Sequence, residues 1–307
     1  MDRKPNDNRP SPFGVHAVRA VHLAACGAAP VIEETRVVEE DALTLDVAGV
    51  GSYTLMWTPT EDIDEATGFT AADGVLTDAH EPEALALAAG FTFSEGLIAG
   101  LGDIKTMALC PDTPGVVRME LYEPEQVTAR RRNVMITSSC GICGSREVLD
   151  NNIFGLEPVP NSLRLDAQGF QALMEAMGER QAVFIETGGA HAAAIFGPDG
   201  RIIASAEDLG RHNALDKVIG KTLLAGETLA GRGVVLSSRL SLEMVTKAVR
   251  AGLEIVAAVS APTSLAIEVA EKFGVTLCGF VRGRRTTVYT HPHRIREIPP
   301  DVCAAAR

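Results

Sequence analysis

The stretch best equipped for chemistry is Ser138-Ser139-Cys140-Gly141-Ile142-Cys143-Gly144. Two cysteines three positions apart and interleaved with glycine predict an open loop, and the thiolate is the form of cysteine that attacks electrophiles or binds metal. The run Arg130-Arg131-Arg132 just upstream, together with open-loop backbone N–H groups, should lower the pKa of such a thiol. Three chemistries compete for the pair. Structural zinc takes four ligands, and the other cysteines, Cys26, Cys110, Cys278 and Cys303, are scattered with no second CxxC. A dithiol redox pair sits at the start of a helix after a strand, where Gly141 and Gly144 disfavour helix. A thiol that carries a group covalently, such as a persulfide sulfur, needs reach and a low pKa, and a glycine-hinged loop supplies the reach.

Two further clusters could meet a ligand. In Glu186-Thr187-Gly188-Gly189-Ala190-His191 the glycine pair is expected to end a strand in a tight turn and to place His191 at the start of the next. In Glu207-Asp208-Leu209-Gly210-Arg211-His212-Asn213 the acids precede a helix whose first turn carries Arg211 and His212, a place where unpaired N–H groups favour anions. The plainer reading is an Asp cap with a locally satisfied His and Asn. Phe280-Val281-Arg282-Gly283-Arg284-Arg285 falls at an expected strand end, where ligands gather in open α/β sheets; arginine forks suit phosphate, and Gly283 admits close backbone approach. Solvated surface arginines are the alternative. Ser237-Ser238-Arg239 and Ser260 to Ser264 end two earlier strands in the same manner, so the three strand ends point to one shared pocket.

The elements that must position these groups follow from periodicity. After Glu120, short apolar runs alternate with helical periods, which predicts a layered α/β sheet. Strands are expected at Val134 to Thr137, Ala182 to Glu186, Ala190 to Phe196, Arg201 to Ala206, Gly233 to Ser237, Glu254 to Val259, Thr276 to Val281 and Thr286 to Tyr289. Apolar stripes predict helices around Phe170 to Met177, Ala214 to Leu223, Met244 to Val249 and Ala266 to Phe273, the last closed by Gly274. From Val31 to Met119 the pattern is that of a small α+β unit: alternation over Thr44 to Gly49, a run from Tyr53 to Trp57, an inserted loop from Pro59 to His80, and a helix from about Glu81 to Phe93.

Composition narrows the class. With 46% hydrophobic, 22% charged and 5% aromatic residues among 307, the chain is neither disordered, collagen-like nor a base-stacking surface for nucleic acid. The longest apolar stretch, Ile255 to Ala270, is interrupted by Ser260, Pro262, Thr263, Ser264 and Glu268, so no membrane span is expected. Six sparse cysteines fit free thiols in a reducing compartment. The first 14 residues lack an apolar signal core and read as part of a loose tail, taken to end at 28, which points to the cytoplasm. Net charge is -12, with 16 Asp and Glu against the single Arg36 between Val31 and Asp103; such a face is solvated or docks a basic partner. Thr276 to Arg296 holds five arginines and no acid, and could meet an anion.

Together and in order, these motifs resemble one family, the formate dehydrogenase accessory sulfurtransferases known as FdhD. The stretches that carry the resemblance are SSCGICG (138–144), TGGAHAA (187–193), EDLGRHNALDK (207–217), SSRLSLEMVTKA (237–248), VSAPTSLAIEVA (259–270), GFVRGRR (279–285) and, earlier, GFTFSEGLI (90–98). The resemblance implies a small acidic α+β domain over 29–128, followed over 129–307 by a cytidine-deaminase-like layered α/β domain. It does not imply deaminase chemistry, because the signature H-x-E with P-C-x-x-C is missing: His191 is followed by Ala-Ala-Ala, and no proline precedes Cys140. It further implies that a cysteine desulfurase loads sulfur on Cys140 as a persulfide. That sulfur would pass to the molybdenum of a bis(molybdopterin guanine dinucleotide) cofactor before its insertion into formate dehydrogenase. Phe280, Val281, Arg282, Gly283, Arg284 and Arg285 would line the cofactor site with His191, Arg211 and His212, and GDP would serve as a partial mimic of the cofactor. Cys143 would either eject the sulfur by attacking Cys140 or tune the loop. The resemblance also implies a homodimer, and the composition and interrupted apolar runs lead to no expectation of a nucleic-acid or membrane partner. A non-catalytic chaperone for the same cofactor is the competing function. This chain departs from the family pattern in one place, where about 20 residues follow Pro59 before the helix that ends in GFTFSEGLI.

Overall fold

The computed structural model describes residues 13–23, 29–60, 68–70, 82–110, 112–113, 115–127, 153, 155–283 and 285–305. The expected strand Val134 to Thr137, the cysteine loop at 138–144 and the 128/129 domain boundary lie outside them.

Three sheets organise the described residues. The first strands, β1 (Val15–His22) and β2 (Val31–Val38), form an antiparallel ribbon. Residues 15–22 were expected to belong to a tail; they are a strand instead, because all eight pair in register with 31–38 and Val15 is buried against Val183 and Ala190.

A five-stranded sheet has the order β4 (Gly51–Trp57), β3 (Asp41–Val47), β7 (Val116–Leu121), β6 (Ile104–Leu109), β5 (Gly68–Thr70). Period-2 patterning explains its single buried face: Leu43, Leu45 and Val47 point in while Asp46 points out, and Val117, Met119 and Leu121 alternate with exposed Arg118 and Glu120. Within the segment expected to be an inserted loop, Gly68–Thr70 adds an edge strand paired with β6. Helix α1 (Glu83–Ser94) covers the buried face.

The six-stranded sheet follows α2 (Ala167–Gly178) and a short helix α3 (Ala182–Thr187). Its strands are β8 (His191–Phe196), β9 (Ile202–Asp208), β10 (Gly233–Leu236), β11 (Ile255–Ala258), β12 (Thr276–Arg282) and β13 (Arg285–Val288), in the order β13-β12-β11-β10-β8-β9. Strands β10, β11 and β12 are parallel, and β8 runs antiparallel to β10. The intervening helices α4 (Arg211–Leu224), α5 (Leu242–Arg250) and α6 (Ser264–Phe273) pack on one face through Leu215, Val218, Met244, Val245, Val269 and Phe273. Helix α2 covers the other through Phe170, Leu173 and Met177. Burial on both faces is why Gly233–Leu236 and Ile255–Ala258 read as unbroken apolar runs. A last helix, α7 (Pro300–Ala305), ends the described chain.

The strand expected at Ala182 to Glu186 is helix α3. Both carboxylate oxygens of Glu207 accept the free N–H groups of its first turn, from Val183 and Phe184 at 2.9 Å, and Gly188 closes it in the left-handed conformation at φ 66°. Its Phe184 and Ile185 are exposed, which a central strand would not allow.

The two larger sheets meet through α1 and α4. A Cβ on Gly90 would overlap the carbonyl of Asp216, and one on Gly220 the carbonyl of Ala86, so the helix backbones touch where they cross. At one end of the crossing, buried Lys247 holds Asp216 at 2.8 Å and Glu95 at 3.0 Å. Among the described residues, no helix is long and apolar enough to cross a membrane.

Candidate functional site

Strand direction gathers the polar motifs at one edge of the six-stranded sheet. Parallel β10, β11 and β12 end there, β8 begins there, and β9 ends there opposite it, with His191 in register with Asp208. Helices α4, α5 and α6 therefore all start at this edge. Backbone bonds carry the sheet on into the loops: Ser237 donates to Ala192, Val259 to Leu236, Leu240 to Ala261 and Phe280 to Ser260, at 3.0–3.1 Å. Three polar loops thus lie side by side as a platform.

His191 is half-buried on this platform, with Nδ1 3.3 Å from Ser237 Oγ, and Ser237 Oγ accepts the Ala192 N–H at 2.8 Å. Burial pulls the pKa of His191 below the ordinary histidine value, and the charge of Arg211 adds to the effect against the opposing pull of Asp208. Arg211 opens α4; burial and the neighbouring charge of Arg239 lower its own pKa, and its Nε is buried with no hydrogen-bond partner among the described residues. His212 Nε2 lies 2.9 Å from Glu243 Oε2, so the carboxylate at the start of α5 is engaged. The hydroxyl of Ser241, which precedes α5, is likewise buried with no partner among the described residues. The edge is accordingly cationic, with donors left over for an anionic ligand.

Of the residues expected to line a cofactor site, His191, Arg211 and His212 come together at β8 and the start of α4. Phe280, Arg282, Gly283 and Arg285 stand on the same edge two strands beyond β10, and Arg282 Nε donates to the Val259 carbonyl at the end of β11 at 3.0 Å. Val281 differs from the rest: its side chain is buried in the core shared with α2, so only its backbone can face a ligand. Arg284, Cys140 and Cys143 lie outside the described residues. Among the described residues, no group of three His, Cys, Asp or Glu is arranged to hold a metal ion.

What fixes the platform from below was not evident from the motifs. Fully buried Asp208 accepts from Thr58 N–H at 3.0 Å, Gly210 N–H at 2.8 Å and Asn213 Nδ2 at 3.0 Å, and pairs with Lys217 Nζ at 2.9 Å. Fully buried Lys217 also reaches the Thr58 carbonyl at 2.7 Å and Glu83 at 3.1 Å, and Lys221 meets Glu83 at 2.7 Å. Burial alone would raise the pKa of Glu83, yet Lys217 and Lys221 hold it down to about 2. These bonds tie β4 and α1 to the turn that presents Arg211 and His212. The available signal was Lys217, a charged residue on the helical stripe that carries Ala214 and Val218.

By its layers and strand order the protein is an α/β protein of one known type. A crystal structure of a candidate formate dehydrogenase accessory protein from Desulfotalea psychrophila matches it with a TM-score of 0.67 at 20% identity, over 92% of this chain and 99% of that one; this likeness shows the fold. The FdhD/NarQ family model matches residues 81–296. Two relatives, both named sulfur carrier protein FdhD, are similar over most of their length. The one from Anaeromyxobacter dehalogenans strain 2CP-C is 41% identical over 68% of this chain and 78% of its own. The one from Nocardia farcinica is 36% identical over 91% and 94%. The chain belongs to the FdhD/NarQ family.

Proposed function

We propose that this protein is a sulfur carrier in the maturation of formate dehydrogenase, taking sulfur from a cysteine desulfurase onto Cys140 and delivering it to a molybdenum bis(molybdopterin guanine dinucleotide) bound as substrate. The observation that carries the reading is the sheet edge that gathers Arg211, Arg239, Arg282 and Arg285, with His212 Nε2 2.9 Å from the Glu243 carboxylate and Asp208 tied to Lys217 below. A ligand with pyrophosphates needs such forks. The relatives' name, sulfur carrier protein, supports the cargo.

In loading, the Cys140 thiolate attacks the outer sulfur of the desulfurase persulfide; the donor S–S bond breaks, the donor cysteine leaves as thiolate, and Cys140 becomes the persulfide. In release, the Cys143 thiolate attacks the inner sulfur, the Cys140–Cys143 disulfide forms, and hydrosulfide leaves with the electron pair. The larger unit, taken as 129–307, we read as cytidine-deaminase-like, supported by helices on both faces of a mixed sheet with three parallel strands at its centre. The smaller unit, 29–128, is then a second body welded to it through α1. A cytoplasmic homodimer completes the reading.

Co-expression with formate dehydrogenase tests the function. Cys140→Ala should abolish active enzyme while leaving GDP binding intact; full activity with Cys140→Ala would instead establish the non-catalytic cofactor chaperone.

A further inference from the structure

Strand β9 is a free edge of the six-stranded sheet, with β8 its one neighbour. Beside it lies a cavity of about 170 Å³, whose described lining includes none of the residues read as the cofactor site. Glu83 of α1 and Lys221 of α4 meet Ser205 and Glu207 of β9 around it, together with Arg180 and Gln181 from the link between α2 and α3. Several of these groups lack the partner that their chemistry requires. Glu207 is 8% exposed; its carboxylate accepts the Val183 and Phe184 N–H groups but forms no ion pair among the described residues. Gln181 is also 8% exposed, and its amide makes no hydrogen bond among the described residues. Arg180 donates to the Ala176 carbonyl at 2.7 Å and forms no ion pair with a described carboxylate. The backbone adds to these groups. The Glu207 carbonyl points away from β8, to Lys217 Nζ at 3.0 Å, so by the alternation of an antiparallel pair the N–H and carbonyl of Ser205 point outward too.

A buried carboxylate without a counter-ion is costly, and buried polar groups in folded proteins find partners. Here an unpaired carboxylate and an unpaired guanidinium line one cavity without meeting each other, so a single ligand that satisfies both carries both charges. Glu83 is already held by Lys221 at 2.7 Å and Lys217 at 3.1 Å, which leaves Glu207 as the acidic partner. Size narrows the ligand further. A cavity of about 150 Å³ admits a benzene-sized molecule, so this one takes about six to eight non-hydrogen atoms. We propose that the cavity binds a small free α-amino acid, with its ammonium group on Glu207 and the Ser205 carbonyl and its carboxylate on Arg180 and the Gln181 amide. The site shares no described residue with the platform at the strand ends, so it stands or falls apart from the sulfur-carrier reading.

Isothermal titration of the full chain with L-alanine, L-serine and L-threonine, which span that size, tests it. At least one should saturate with a Kd of about 1 mM or tighter. Propionate and ethylamine, which keep only the carboxylate or only the amino group of alanine, should each bind about tenfold or more weakly than the best of the three. Arg180→Gln and Glu207→Gln should each weaken that amino acid by about tenfold or more. Glu207 also holds the first turn of α3; should circular dichroism show Glu207→Gln unfolded, Arg180→Gln, at an exposed position, decides alone. No saturation by any of the three up to about 10 mM would overturn the assignment. So would propionate or ethylamine binding as tightly as the amino acid, or unchanged affinity in Arg180→Gln or in a folded Glu207→Gln.

Discussion

Glu83→Gln should cost this protein about 3 kcal/mol at neutral pH, and the loss should vanish in acid. Glu83 is 4% exposed at the start of α1, between Lys217 at 3.1 Å and Lys221 at 2.7 Å. Burial opposes its charge, but the two ammonium groups prevail and bring its pKa from 4.5 to about 2. A difference of roughly 2.5 pKa units at 1.36 kcal/mol each amounts to about 3.4 kcal/mol. Since the folded-state pKa is the depressed one, this stability is fully present above about pH 4.5 and lost as the pH falls toward 2. Urea denaturation of wild type and Glu83→Gln at several pH values between 7 and 3 measures the difference directly. The expected curve is flat near 3 kcal/mol down to about pH 5, then converges. A difference that stays constant into acid, or grows there, would refute the reasoning, because it would mean that the carboxylate charge is not what stabilises the junction between α1 and α4.

Gly220→Ala should destabilise by about 3 kcal/mol or more, as overpacking against a backbone carbonyl leaves no side chain to yield, whereas Gly178→Ala, which meets nothing within 4 Å, should be neutral or slightly stabilising; urea midpoints compare the two. Phe280 stands at φ 53°, so Phe280→Gly should melt above Phe280→Ala, relief of about 1–3 kcal/mol of backbone strain exceeding the entropy a glycine gains in the unfolded chain; Phe280→Gly melting below Phe280→Ala would show that the position is unstrained. Arg211→Gln should raise the pKa of His191, since burial and then the Arg211 charge depress it. Proton NMR titration of the imidazole reads this, and an unmoved pKa would separate the two side chains.

The sequence was most legible where one physical cause acted alone. Continuous apolar runs such as Gly233–Leu236 and Ile255–Ala258 have few uses other than a strand covered on both faces, and the polar tails of those strands marked the edge where the candidate residues gather. Ala182 to Glu186 reads as a strand because Val, Phe and Ile favour strands, while the helix found there owes its start to Glu207, a residue far along the chain. Val15–His22 carries no period-2 alternation, its polar residues His16, Arg19 and His22 falling every third position; it is a strand through its pairing with 31–38, which local pattern does not supply. Lysine is nearly always exposed; that Lys217 is buried follows from Asp208 on β9, Glu83 on α1 and Thr58 just after β4 converging on it. The bulge at Phe280, where the β12–β13 register shifts, is likewise a property of three loops in contact rather than of GFVRGRR alone.

The central claim is that Cys140 carries sulfur as a persulfide. Mass spectrometry of the peptide spanning 133–146, after incubation of the full chain with a cysteine desulfurase and cysteine, tests it most directly. The account predicts a gain of about 32 Da, one sulfur, on the fragment containing Cys140 and no gain in Cys140→Ala. No adduct on that peptide, or one that persists elsewhere when Cys140 is replaced, would contradict it.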